Sequence, residues 1–150
     1  MHESSAQDFA RVTPERFDLI VCNPPFFSGS TRSSNPERAM ARHDDTLPPM
    51  DLASVIQNIL APQGSAWILA AAGDETKWVD ALRGRLALSE NRELADSPRA
   101  IPHAVALCFT AQGSAHASVN FRSSRVVYRQ SPGGERSTWM QGHRARWFPR

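Results

Sequence analysis

The run Phe17-Asp18-Leu19-Ile20-Val21-Cys22, stopped by Asn23-Pro24-Pro25-Phe26, constrains this chain more than any other stretch. After its first two residues the run is apolar and β-branched, as a buried strand should be, and the prolines end it because neither can donate a ladder hydrogen bond. An amide and an aromatic ring are thereby placed at the C-terminal edge of a strand. In an open α/β sheet that edge is where ligands bind. An exocyclic amine conjugated to a ring or a carbonyl is a weak nucleophile, because its lone pair is delocalised. Acceptors that bind both amine hydrogens pull the nitrogen toward tetrahedral geometry and localise that pair. The Asn23 side-chain oxygen and the Pro24 carbonyl are candidates for those acceptors, with Phe26 stacked on a planar substrate. The plainer alternative is a strand followed by a Pro-Pro turn.

Around this run the elements alternate. Residues 1–8 are polar, Phe17 to Cys22 is a strand, and residues 27–50 read as a long loop punctuated by glycine, serine and proline, a length that points to function or mobility. Leu52, Val55, Ile56, Ile59 and Leu60 fall at helical spacing behind Asp51, which predicts a helix over 51–60 closed by Pro62-Gln63-Gly64. Residues 66–70 form a strand and 76–86 a helix with Trp78, Val79 and Leu82 inward; 86–99 reads as a short crossing segment. Residues 104–109 form a strong strand, and 118–128 a further strand expected to pair with it through a turn around Gln112-Gly113-Ser114. Core packing is the expected role of both Trp67 and Trp78.

At 150 residues with 41% hydrophobic content the chain makes at most one domain with a modest core. No apolar stretch approaches membrane-spanning length and the N-terminus does not resemble a secretory signal, so a cytoplasmic protein is expected. Cys22 and Cys108 lie in apolar runs and read as buried thiols; no cysteine–histidine spacing supports zinc. The net charge of +2 identifies no partner, but Arg122, Arg125, Arg129, Arg136, Arg144, Arg146 and Arg150 face the single acid Glu135. Tyr128, Trp139, Trp147 and Phe148 are interleaved with them, a mixture that grips looped RNA. Because Ser131-Pro132-Gly133-Gly134 interrupts the pattern, residues 131–150 are expected to be a basic, poorly ordered tail, with 1–130 as the domain.

Asn23-Pro24-Pro25-Phe26 resembles the catalytic tetrapeptide of class I S-adenosylmethionine-dependent methyltransferases that act on amino groups. A longer likeness, from Phe17 to Leu69, is narrower in meaning. Phe26-Phe27, then Arg38-Ala39-Met40-Ala41-Arg42-His43, resembles the bacterial adenine-N6 methyltransferase family that modifies valine tRNA next to its anticodon. The resemblance implies an α/β fold, the C-terminal half of a Rossmann-like class I sheet ending in an antiparallel hairpin. It also implies S-adenosylmethionine as cofactor and tRNA as substrate. Asn23, Pro24, Pro25 and Phe26 would be catalytic. Phe27, Arg38, Arg42 and His43 would contact the substrate, although salt bridges to Glu37, Asp44 or Asp45 are an equal alternative for the three basic groups. Gln7-Asp8-Phe9 looks like the family's third cofactor element, in which an acid following a strand accepts from the cofactor's adenine amine and the next residue packs on its ring. This assigns cofactor binding to Asp8 and Phe9.

The family's glycine-rich cofactor turn has no counterpart, since all eight glycines lie at or beyond Gly29. The expectation is an incomplete gene product or misassigned start, with doubtful cofactor binding by this chain alone and an exposed sheet edge inclined to self-associate. A non-catalytic RNA-binding remnant is the alternative from another class. Methylation of ribosomal RNA guanine N2 or of protein glutamine shares the tetrapeptide, but the Arg-Ala-x-Ala-Arg-His segment argues against both.

Overall fold

A computed structural model describes residues 4–24, 48–112 and 121–147. The chain opens with helix α1 (Ala6–Val12), where the polar start of the sequence suggested no element. Ser5 caps it: the Ser5 hydroxyl accepts from the Asp8 backbone N–H at 3.1 Å and donates to the Asp8 carboxylate at 2.7 Å, satisfying one free N–H of the first turn. Strand β1 (Phe17–Cys22) ends where the prolines require. Helix α2 (Pro49–Ile59) starts on a proline whose missing N–H costs nothing at that position. It runs directly into β2 (Leu60–Ala71).

The stretch Pro62-Gln63-Gly64, expected to close the helix as a turn, instead lies inside β2. It forms an irregularity, the pairing with β1 stepping from Phe17–Leu60 to Leu19–Ser65. Gly64 is required there by close approach, because a β-carbon would stand 2.8 Å from the Phe17 carbonyl oxygen. Helix α3 (Glu75–Leu82) follows and ends before Gly84, which takes a φ of 78°.

Residues 86–99, expected to cross the fold, are largely strand: β3 (Leu86–Ala95) pairs antiparallel with β4 (Ala104–Ala111). The terminal hairpin therefore consists of β3 and β4. The predicted pairing of 118–128 with β4 is corrected, since β5 (Arg122–Val127) lies parallel to β3, on the side away from β4. The sheet order is β1-β2-β4-β3-β5, with β1 parallel to β2 and β4 antiparallel to both of its neighbours. It follows that β1, β2, β3 and β5 all point the same way.

Helices α1, α2 and α3 pack on one face. Leu52, Ile56, Trp78 and Leu82 meet Ala66, Ile68, Val105, Leu107 and Phe109, and Ala10 joins Val55 and Ile59 over Phe17 and Ile20. On the other face Leu19 and Val21 are 59% and 73% exposed. Trp78 is core as expected. Trp67 is only half-buried, with the Arg92 guanidinium 4.8 Å from its ring centroid and Glu90 paired to Arg92 at 2.6 Å. Residues read as a disordered tail carry an Arg129–Arg136 bridge and helix α4 (Thr138–Trp147), with the Met140 backbone N–H donating to the Ser137 hydroxyl at 3.2 Å.

Candidate active site

Alternation along β1 decides where Asn23 stands. Ile20, Cys22 and Pro24 turn inward, with Pro24 buried, whereas Leu19, Val21 and Asn23 are exposed. Pro24 is buried at the strand end, and Asn23 stands exposed beside it at the C-terminal edge, where β1 and β2 run parallel. Burial pushes the Cys22 thiol above its usual range, and the Cys108 thiol likewise. Both are protonated at neutral pH and unsuited to act as nucleophiles. Among the described residues no cluster of three or more His, Cys, Asp and Glu could hold a metal ion.

Asp8 and Phe9 occupy α1 rather than a strand end. Asp8 is engaged by Ser5 and lies 3.6 Å from Arg11, and the Phe9 ring packs tilted against Phe17 at 6.2 Å between centroids. Phe17 opens β1 and Asn23 follows its close, a separation of roughly 20 Å at strand rise. The structure does not bring the Phe9 ring to Asn23. Pro25, Phe26, Phe27, Arg38, Arg42 and His43 lie outside the described residues. A cavity of about 220 Å³ between α1 and α2 is lined by Gln7, Arg11, Asp51, Ser54 and Asn58, among others, and does not include Asn23.

The residues that reading by motif missed sit on the same edge as Asn23. The loop between β3 and β4 and the segment after β5 both leave the sheet there, since those strands run with β1. Two backbone bonds tie the loop to β2 and β3: the Ala72 N–H donates to the His103 carbonyl at 3.3 Å, and the His103 N–H to the Leu94 carbonyl at 3.0 Å. The signal that could have found this edge was the length and apolar ends of residues 86–95, which suffice for a strand.

The architecture is that of the class I methyltransferase fold. It superposes on a predicted O-methyltransferase from Agrobacterium tumefaciens with a TM-score of 0.62 at 11% identity, covering 93% of this chain and 56% of that one. A chain of a type I R-M system gives 0.51 at 13% identity, covering 95% and 31%. No protein-family model matches. Curated relatives are more specific. The tRNA1(Val) (adenine(37)-N6)-methyltransferase of Shewanella sediminis is 38% identical over 105 residues, 67% of this chain and 43% of the relative. The Shewanella baltica protein of that name is 33% identical over 141 residues, 92% and 58%, and the Musicola paradisiaca one 30% identical over 113 residues, 73% and 45%. The chain belongs to the tRNA1(Val) (adenine(37)-N6)-methyltransferase family, and it spans about half the length of the curated relatives it matches.

Proposed function

We propose that the intact protein methylates the N6 amine of an adenine in tRNA, next to the anticodon, in the cytoplasm. The observation that carries this reading is exposed Asn23, set by buried Pro24 at the C-terminal edge of a parallel strand pair, in a chain related to enzymes named for that reaction. S-adenosylmethionine supplies the methyl group. Among the described residues the fit is to the acceptor side of the reaction. Asp8 and Phe9 have partners within α1 and β1, so no step is assigned to them.

The target base leaves its stack and lies against Phe26. The Asn23 Oδ1 and the Pro24 carbonyl accept the two amine hydrogens, localising the nitrogen lone pair toward the incoming carbon. The surplus amine proton would pass to water as the methyl leaves the cofactor's sulfonium sulfur for the nitrogen, so no strong base is required of this chain. Phe27, Arg38, Arg42 and His43 hold the flanking RNA.

The test is Asn23→Ala, assayed in these 150 residues and in the reading frame extended upstream, with methyl incorporation into tRNA as readout. Loss of one charge-localising group lowers turnover by about 10²–10³-fold, with RNA affinity preserved. Turnover at the wild-type rate would sink the proposal. Incorporation into ribosomal RNA guanine or protein glutamine in place of tRNA adenine would reassign the substrate, and RNA binding with no incorporation by either form would favour a non-catalytic remnant.

A further inference from the structure

We infer that Arg99, Ile101, His103, Tyr128 and Arg136 form a preformed rim on the Asn23 edge of the sheet that receives the RNA flanking the target base. The inference rests on the RNA-methyltransferase reading above and adds to it a surface that the tetrapeptide does not contain.

Strand direction supplies the placement. Because β1, β2, β3 and β5 are co-directional, the residues that follow each of them emerge at one edge. Strands sit about 4.8 Å apart, so β4, β3 and β5 place the rim roughly 10–20 Å along that edge from β1. A single nucleoside held at Asn23 would not reach it. A polynucleotide would.

The rim is held in place by other side chains. Arg125 pairs with Glu93 at 2.8 Å and donates to the Pro98 carbonyl at 3.2 Å. Arg129 lies 3.3 Å from Asp96 and donates to the Gly134 carbonyl at 2.9 Å, and its backbone N–H donates to the Asp96 carbonyl at 2.8 Å. Ser97 is buried, and the Ala100 N–H closes a turn onto its carbonyl at 3.0 Å. These contacts neutralise Arg125 and Arg129 and fix the loop before any ligand arrives.

What remains facing solvent is chemically suited to RNA. Arg99 and Arg136 are exposed and have no ion pair among the described residues. The acids closest in sequence are Asp96, engaged by Arg129, and Glu135. Exposed His103 packs on Tyr128 with centroids 5.6 Å apart at 46°, and Ile101 is 89% exposed, leaving one aromatic and one apolar face beside two cations. Unpaired bases stack on such faces while arginines take phosphates.

The test measures binding of the 150-residue chain, without cofactor, to a short RNA hairpin carrying adenine in its loop, over a range of salt. Arg99→Ala/Arg136→Ala should weaken binding at least tenfold and flatten the salt dependence by about two units of slope. His103→Ala/Ile101→Ser should weaken it roughly tenfold with the slope unchanged. Arg16→Ala/Arg122→Ala removes the same charge at the opposite edge, where β1 and β5 begin, and should change affinity less than twofold. Thermal melting of each variant should match wild type, since every altered side chain is exposed. Equal weakening by rim and control variants, or none by either, would overturn the rim while leaving the methyltransferase reading intact. Absence of RNA binding by the wild-type chain would overturn the RNA reading and the rim together.

Discussion

Replacing Gly64 with alanine should loosen the strand that carries Asn23, and the size of the effect follows from three contacts. The added β-carbon would stand 2.8 Å from the Phe17 carbonyl oxygen, 2.9 Å from Leu60 Cδ1 and 3.1 Å from the Ala61 carbonyl oxygen. The Leu60 methyl can rotate away. The carbonyls are backbone, and Phe17 lies where the ladder steps from Phe17–Leu60 to Leu19–Ser65, so relief requires β1 to shift or the bulge to reshape. Overpacking of this kind costs about 1–3 kcal/mol. Gly64 is not among the glycines with positive φ, so alanine also restricts the unfolded chain and returns about 0.4–1 kcal/mol. The net is a loss of roughly 1–2 kcal/mol, which at a urea slope of about 1.5 kcal/mol/M lowers the unfolding midpoint by about 1 M. Gly142→Ala provides the opposite sign, because that glycine sits in α4 with nothing within 4 Å of an added carbon; it should gain about 0.5–1 kcal/mol. A Gly64→Ala midpoint at or above wild type, with Gly142→Ala rising as stated, would refute the account of how β2 meets β1.

Leu19 and Val21 stand 59% and 73% exposed on the first strand of the sheet order, so the chain should associate in a concentration-dependent way. Sedimentation velocity should show Leu19→Lys/Val21→Lys to be monomeric at concentrations where wild type is not, and identical profiles would reject the contact. Stability should also fall at alkaline pH. Burial raises Cys22 and Cys108 above the ordinary 9.0 and Tyr128 above 10.0, so the folded state holds these protons more tightly than the unfolded chain. That contribution is complete below about pH 9 and is lost as pH climbs through the raised values. Scanning fluorimetry from about pH 8 to 11 should show a declining melting temperature, flattened in Cys22→Ala/Cys108→Ala; a decline of the same steepness in the double variant would remove the thiols from the explanation.

Local pattern sufficed for β1, α2, α3 and β4, each of which has a clear apolar period and a proline, glycine or acidic boundary. It failed where the deciding partner is distant in sequence. Pro62-Gln63-Gly64 has turn composition, yet its conformation is set by the Phe17 carbonyl on another strand. Residues 86–95 include Ser89-Glu90-Asn91-Arg92-Glu93, too polar to suggest a strand, but each edge of β3 is taken by a neighbour, and Arg92 covers Trp67 instead of facing water alone. Helices α1 and α4 were legible in principle: Ser5 with Asp8, and Ser137 at the start of α4, are capping signals. The Asn23-Pro24-Pro25-Phe26 motif was readable because its pattern is local, and the structure places Asn23 and Pro24 at the predicted strand end.

The register of β3 matters beyond the fold. As a crossing segment, residues 86–99 would have left the direction of the Asp96–His103 loop undefined, and the C-terminal arginines would have counted equally as loose charge. As a strand co-directional with β1, the segment delivers that loop to the Asn23 edge, and the same ladder positions β5 so that Arg125 and Arg129 brace it through Glu93, Pro98 and Asp96. Two of the seven arginines between Arg122 and Arg150 are thereby committed to the protein itself. Affinity for RNA should then depend less on how many arginines the segment contains than on which of them the sheet leaves unpaired at that edge. For this reason the charge-matched comparison of Arg99 and Arg136 with Arg16 and Arg122 discriminates where a simple count of basic residues would not.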